Sequence, residues 1–170
     1  AGIEAKRKSY TIATAPLPAS TYPTITIDSK KDGQLAEGMT LVSYYGYKDS
    51  PSPQSPFMFD AFGDVRWYLD FHTSPVLSNL FYDDGMERLQ NGNFYFGDIT
   101  TNAIYEMDVF GNILNTWTLT GYQFNHNVQE KQNGNCLVTV SKQGSNTVEE
   151  DRIEIDRSSK QSRRKGDLQA

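Results

Sequence analysis

Cysteine and histidine are scarce in this 170-residue sequence, which holds Cys136, His72 and His126 as its only residues of these two types. A single cysteine cannot form an intrachain disulfide, and it excludes metal sites built from four thiolates. The two histidines are too far apart in sequence for the H-x-x-x-H spacing of a metal site. We therefore expect neither a metal nor a cofactor.

Long apolar runs and an excess of basic residues are also missing. No run approaches the roughly 18 apolar residues that a membrane-spanning helix needs. The net charge of −5 argues against a general nucleic-acid binder, because phosphate contacts need clustered lysines and arginines. The N-terminus lacks the charged-then-apolar pattern of a signal peptide. The sequence predicts a chain that neither crosses a membrane through a helix nor binds nucleic acid.

Helix signals are nearly absent, whereas aromatic residues and turn-forming residues are frequent. The chain has 10 tyrosines and 9 phenylalanines, and 13 glycines and 7 prolines interrupt its short apolar runs. Aromatic and β-branched residues favour strands, and glycine and proline favour the turns between them. The composition predicts an all-β fold.

Two interleaved motifs recur along the chain. The segment QNGN occurs twice, with its first asparagines at Asn91 and Asn133, and a strand-Asp-turn-strand pattern places Asp60, Asp108 and Asp156 at equal intervals of 48 residues. Repeats with periods in the forties are typical of β-propeller blades, each made of four antiparallel strands. We therefore expect a partial β-propeller of about two to three blades.

The middle repeat can be divided into four strands. Asn91-Gly92 predicts a tight type I′ hairpin, because both residues adopt left-handed conformations readily. The predicted strands cover 84–90, 93–99, 103–109 and 112–119.

The flanking repeats are less complete. The first predicts strands at 21–28, 39–47, 56–62 and 64–71, and the third predicts strands at 125–131, 135–142 and 151–157 with no convincing fourth. Blades therefore cover about 21–71, 83–120 and 125–157, within an incomplete propeller spanning 21–157. Residues 1–20 are expected to be a linker or the end of a preceding domain, and 158–170 a disordered, polar, basic tail. Since a ring takes 4 to 8 blades, we expect a fragment of a longer propeller.

Four segments together resemble the bacterial aryl-sulfate sulfotransferases, or arylsulfotransferases. They are DAFGDVRWYL, ERLQNGNFYFGD, IYEMDVFGNILNTW and FNHNVQEKQNGN, and the resemblance spans roughly residues 15–157. It implies a small N-terminal β-sandwich, a six-bladed propeller and a periplasmic location. It also implies transfer of a sulfuryl group from a phenolic sulfate ester to a phenol through a sulfated histidine. The partners would be these two small molecules, with a homodimer of the full-length protein also expected.

His126 is the residue that matches the family's earliest channel histidine, in an F-x-H-[DN] context before an NGN hairpin. Asn127 stands where many relatives carry aspartate. The resemblance implies that His126 binds sulfate or donates a proton, and that the nucleophilic histidine lies outside this chain, which alone should be inactive. Strand alternation offers another interpretation: it places Phe124, His126 and Val128 on one face, so His126 could be a hydrogen-bonded core residue.

Other polar residues are better explained by structure than by chemistry. Asp84 precedes His126 by one 42-residue period, but an Asp-Gly turn explains it. We expect Arg66 and Trp67 to pack on an outer strand, His72 to lie in a loop, and Cys136 to be buried and inert. Tyr44, Tyr45 and Tyr47 are expected to pack between blades rather than to bind a phenol.

Two other functions remain open at this point. A non-catalytic propeller that binds proteins or glycans would also explain the repeats, since only one family-matched site residue lies in this chain. A degenerate remnant of an enzyme would explain the truncated third repeat.

Overall fold

The computed structural model describes residues 25–26, 38–43, 56–144, 150–158 and 162–164, and all of its regular elements are strands. The predicted linker, most of the predicted strand at 21–28 and the three tyrosines at 44, 45 and 47 lie outside this part of the chain. No helix of the described residues is long and apolar enough to cross a membrane.

The strands form three antiparallel sheets in chain order. The first sheet contains β1 (Thr40–Val42), β2 (Phe57–Phe59) and β3 (Val65–Tyr68). The second contains β4 (Asp83–Arg88), β5 (Phe94–Asp98), β6 (Ala103–Met107) and β7 (Ile113–Thr118). The third contains β8 (Tyr122–Glu130), β9 (Cys136–Lys142), β10 (Glu150–Ile155) and β11 (Ser162–Arg164). These successive sheets confirm the all-β class and the blade-like order, and the described residues do not close a ring.

The second sheet is buried on both faces, as a blade between two neighbours should be. Every residue of β5 and β6 is buried. Phe94 and Phe96 pack in a core shared with the first sheet, whereas Tyr95 packs in a core shared with the third sheet. Alternation along β5 therefore sends successive side chains to opposite neighbours.

The two QNGN hairpins differ from the predicted turn. Gly92 has φ of 90° and Gly134 has φ of 80°, but Asn91 and Asn133 are not in the left-handed region. Gly92 N–H donates to Leu89 O at 2.9 Å, and Leu89 N–H donates to Asn93 O at 2.9 Å. The loop is thus one residue longer than a two-residue type I′ turn, with only the glycine left-handed, and the type I′ prediction is wrong.

The asparagines of these hairpins hold a buried carboxylate within each sheet. Glu106 accepts hydrogen bonds from the side-chain amides of Asn91 at 3.1 Å and Asn93 at 2.7 Å. One repeat later, Glu154 accepts from Asn133 at 3.2 Å and Asn135 at 2.8 Å. A buried charge needs hydrogen-bond donors. The repeated motif therefore forms the hairpin and also supplies donors to a buried carboxylate.

The repeated aspartates end their strands by accepting hydrogen bonds from the following turn. Asp60 Oδ1 accepts from the N–H groups of Phe62 and Asp64, and Asp108 Oδ1 accepts from those of Phe110 and Asn112. Asp156 Oδ1 accepts from Ser158 N–H at 2.9 Å. These are Asx-type turns, and they explain the 48-residue spacing without a functional role.

The fourth strand of the third sheet was not evident from the sequence. Residues 162–164 pair antiparallel with β10, with Ile153 opposite Arg164 and Ile155 opposite Ser162. Backbone hydrogen bonds need no apolar side chains, so the polar sequence does not prevent this short pairing.

Candidate functional site

A cleft of about 600 Å³ lies between the sheets and is lined mainly by β4 and β8, the first strands of the second and third sheets. β1 contributes Leu41, with Ser43 just after it, and β5 contributes Tyr95. The remaining lining residues come from β4 and β8, and they are Met86, Glu87, Arg88, Phe124, His126, Asn127, Val128 and Gln129. Residues from β4 and β8, the first strands of consecutive sheets, therefore face one cleft.

His126 lies on a bulge in β8 and is exposed to this cleft. Phe124 pairs with Val140 and Val128 pairs with Val138, so three residues of β8 stand opposite the single residue Thr139. His126 has a backbone φ of 63°, in the left-handed region that residues other than glycine adopt rarely. The bulge separates His126 from its buried neighbours, and the core interpretation of this histidine is wrong.

Two contacts from the second sheet hold the start of β8. The Phe124 ring is buried and packs directly on Gly97, leaving no room for a methyl group at position 97. Asn102 accepts a hydrogen bond from Phe124 N–H at 3.2 Å and donates its amide to the carbonyls of Leu119 and Tyr122. The strand that bears His126 is therefore fixed relative to the second sheet.

The end of β8 is held in the same way. Glu130 accepts a hydrogen bond from the backbone N–H of Gln90 at 2.7 Å, and Arg157 Nη1 donates to it at 3.2 Å. Arg157 also donates to Glu106 at 2.7 Å, so its side chain joins the second and third sheets.

The charges that line the cleft are one arginine and one carboxyl. The Arg88 guanidinium lies 5.7 Å from the centre of the Phe94 ring, a cation–π geometry that leaves the side chain exposed. Burial raises the pKa of the Glu87 carboxyl, and the negative charge of Glu130 adds to the increase, although Glu130 N–H opposes it. Because a raised pKa makes the carboxyl easier to protonate, it reduces the repulsion between Glu87 and an anionic ligand.

Asp84 lies within strand β4 and not in the Asp-Gly turn predicted for it. Arg66, Trp67, His72 and Cys136 do not line this cleft. Arg66 is exposed and forms ion pairs with Asp60 at 2.6 Å and Asp64 at 2.9 Å. Trp67 donates its indole N–H to Val109 O at 2.9 Å, joining the first and second sheets. Both fit the structural role expected for them.

His72 and Cys136 also lie where the sequence suggested. His72 is exposed in the turn after β3. Cys136 is fully buried, and burial raises the pKa of its thiol to about 12, which is the environment of an inert thiol. Within the described ranges, no group of three or more His, Cys, Asp or Glu side chains could hold a metal ion.

Sequence reasoning missed Glu87 and Arg88 as cleft residues and missed the bulge. Both residues lie in the predicted strand 84–90 and precede a QNGN motif at the same distance as Gln129 and Glu130, so their equivalence to residues near His126 was visible in the repeat. The Asn-His-Asn segment between two apolar residues was the local signal for an irregular strand.

Comparisons with known proteins agree with this architecture. The model of the Arylsulfotransferase (ASST) family matches residues 24–166. No curated protein matches the chain. The crystal structure of a protein of unknown function from Bacteroides caccae is similar, with a TM-score of 0.53 and 18% identity. The match covers 78% of this chain but 44% of the other, so this chain spans less than half of that protein's length.

Proposed function

Because the chain belongs to the arylsulfotransferase family, we propose that it is part of an enzyme that moves a sulfuryl group from a phenolic sulfate ester to a phenol. In this proposal the group passes through a sulfated histidine outside this chain. His126 binds the sulfate or donates a proton to the departing phenolate.

The position of His126 carries this proposal. It is exposed on a bulge at the cleft lined mainly by the first strands of the second and third sheets, and in a propeller the blades surround a central channel. Sulfuryl transfer needs donors directed at the sulfate oxygens in a sheltered site. A histidine can supply a donor in either protonation state, and a positive charge when protonated.

The cleft suits a monoanion with an aromatic group. Arg88 supplies a fixed positive charge, and Asn127 and Gln129 supply amide donors. Leu41, Met86 and Val128 supply apolar contact area. A sulfate monoester carries one negative charge, which the Glu87 carboxylate would repel. Because the pKa of Glu87 is raised, this carboxylate is protonated, and its repulsion removed, at a higher pH than for an ordinary glutamate.

NMR of the two histidines tests the role of His126. We expect inorganic sulfate and 4-nitrophenyl sulfate to shift the imidazole resonances of His126, because an anion that accepts a hydrogen bond from the imidazole changes its environment. His72, exposed on a turn elsewhere, is the internal control and should not respond. The variant His126→Ala should abolish the ligand-dependent shifts of other cleft residues, and the variant His72→Ala should not.

Equal responses of both histidines, or none, would contradict the sulfate-binding role and favour a binding module for other ligands. We also propose that the isolated chain does not turn over 4-nitrophenyl sulfate with phenol, since the nucleophile is supplied by the rest of the enzyme. A periplasmic location and a homodimer of the longer protein belong to the same proposal.

A further inference from the structure

The backbone at His126 is strained and must be held in place by its surroundings. A non-glycine residue in the left-handed region costs on the order of 1–3 kcal/mol and persists when neighbouring contacts determine it. His126 has this conformation, with φ of 63°, in the middle of the β8 bulge. The contacts on either side of the bulge therefore decide where the imidazole points.

The contact before the bulge is made between two sheets. Phe124 is two residues from His126, is 1% exposed, and lays its ring on the backbone of Gly97 in β5. A Cβ atom at position 97 would overlap three atoms of this ring. Gly97 is not in the left-handed region, so glycine is not required here by the backbone conformation. It is required because any side chain would collide with the Phe124 ring.

The need for glycine at position 97 is specific to the contact between the second and third sheets. The repeat places Thr139 of β9 at the position that corresponds to Gly97. Thr139 lies opposite the bulge and borders a small cavity of about 110 Å³ with Asn127 and Gln129. The blade repeat itself therefore accepts a side chain at this position, and the glycine is needed only where the Phe124 ring docks.

We propose that Gly97 is a positioning residue for His126, acting through the Phe124 ring. The bare backbone at position 97 lets the ring seat fully, and the seated ring together with the Asn102 hydrogen bond fixes the start of the bulge. The functional consequence rests on the proposed anion-binding role of His126. The positional consequence does not, because it concerns only the place and environment of the imidazole.

The test compares Gly97→Ala with the wild-type chain by NMR of both imidazoles. We expect the added methyl group to displace Phe124, to shift the imidazole resonances of His126, and to weaken sulfate binding about tenfold, equivalent to about 1.4 kcal/mol. His72 should be unchanged. The double variant Gly97→Ala/Phe124→Leu, which removes ring atoms where the methyl group is added, should bring the His126 resonances and the sulfate affinity most of the way back to the wild-type values.

Separate readouts distinguish the two proposals. If wild-type His126 does not respond to sulfate, the proposed function fails, while the His126 imidazole resonances still report its position in each variant. If Gly97→Ala does not fold, the single variant Phe124→Leu tests the same contact by removing ring atoms from an unchanged Gly97. A His126 environment that is unchanged in every folded variant, or a double variant no closer to wild type than Gly97→Ala, would overturn the positioning role.

Discussion

Replacing Arg157 with alanine should lower the free energy of unfolding, because it removes a side chain that joins the second and third sheets. Arg66 offers a matched control. Each arginine donates to two carboxylates, Arg157 to Glu106 and Glu130, and Arg66 to Asp60 and Asp64. The two differ in burial, because the Arg157 side chain is 18% exposed and the Arg66 side chain is 53% exposed. Both arginines make two ion pairs, so a larger loss of unfolding free energy on replacing Arg157 reports its more buried position.

The expected magnitude follows from what each carboxylate retains. Removing one partner of a buried ion pair costs about 3–5 kcal/mol. Glu106 keeps the amides of Asn91, Asn93 and Asn115 after the loss of Arg157, so we expect the lower end, about 3 kcal/mol. For a domain of this size that lowers Tm by about 6–12 °C. Arg66→Ala should cost about 0–1 kcal/mol, as exposed pairs do.

The assay is urea unfolding at pH 7 together with thermal unfolding, repeated as the pH is lowered. Burial alone would raise the pKa of Glu106, but the hydrogen bonds from Asn93, Asn91, Asn115 and Arg157 outweigh it and the pKa is lowered. A lowered folded pKa gives stability that is present above the unfolded value, near 4.5, and is lost as the pH falls through the folded pKa. Without Arg157, acid unfolding should begin at a higher pH. Equal costs for Arg157→Ala and Arg66→Ala would refute this reasoning.

Three further predictions concern the hydrogen bonds and the thiol within the sheets. Asn93→Ala should cost about 1–3 kcal/mol in urea unfolding, because buried Glu106 loses a charge-assisted hydrogen bond; a cost below about 0.5 kcal/mol would contradict a stabilising role for this hydrogen bond. The side-chain hydrogen bond from Lys131 is the largest cause holding the pKa of Glu154 at about 2, so Lys131→Met should raise it in a carboxyl NMR titration; an unchanged pKa would count against the pairing. Cys136 should react with a thiol reagent at pH 7 only as the chain opens, since it is fully buried; immediate stoichiometric labelling of the folded chain would show otherwise.

The second sheet was largely predictable from the sequence, because local signals there agree with the tertiary structure. The four predicted strands begin and end within two residues of β4 to β7. Asn91-Gly92 marked the first hairpin correctly, although its turn type was wrong. Glycine supplies the left-handed residue in either turn type, so the dipeptide alone does not determine the loop length.

The bulge could not be inferred from hydrophobic alternation. Phe124 and Val128 are four positions apart, while their partners Val140 and Val138 are two apart. The bulge therefore adds two residues to β8, and adding two residues leaves the inward and outward alternation of the flanking positions unchanged. A regular strand and a bulged strand thus have the same apolar pattern, and they differ only in where His126 lies.

Contacts between sheets were equally hidden from a reading of local sequence. Arg157 is 51 residues from Glu106, and Phe124 docks on Gly97 only because the third sheet stacks on the second. No local pattern encodes either pair. The repeat predicts that the sheets stack, whereas the side chains that meet between them depend on the angle and distance of that stacking.

The most direct test of the account locates a bound aryl sulfate relative to the two histidines. Intermolecular nuclear Overhauser effects can be measured between the ring protons of 4-nitrophenyl sulfate and the protons of the chain. We predict contacts to the His126 imidazole and to the Met86 methyl group, which line the same cleft, and none to His72. Contacts at His72 alone, or at cleft-remote residues without His126, would contradict the claim that the cleft between β4 and β8 presents His126 to the substrate.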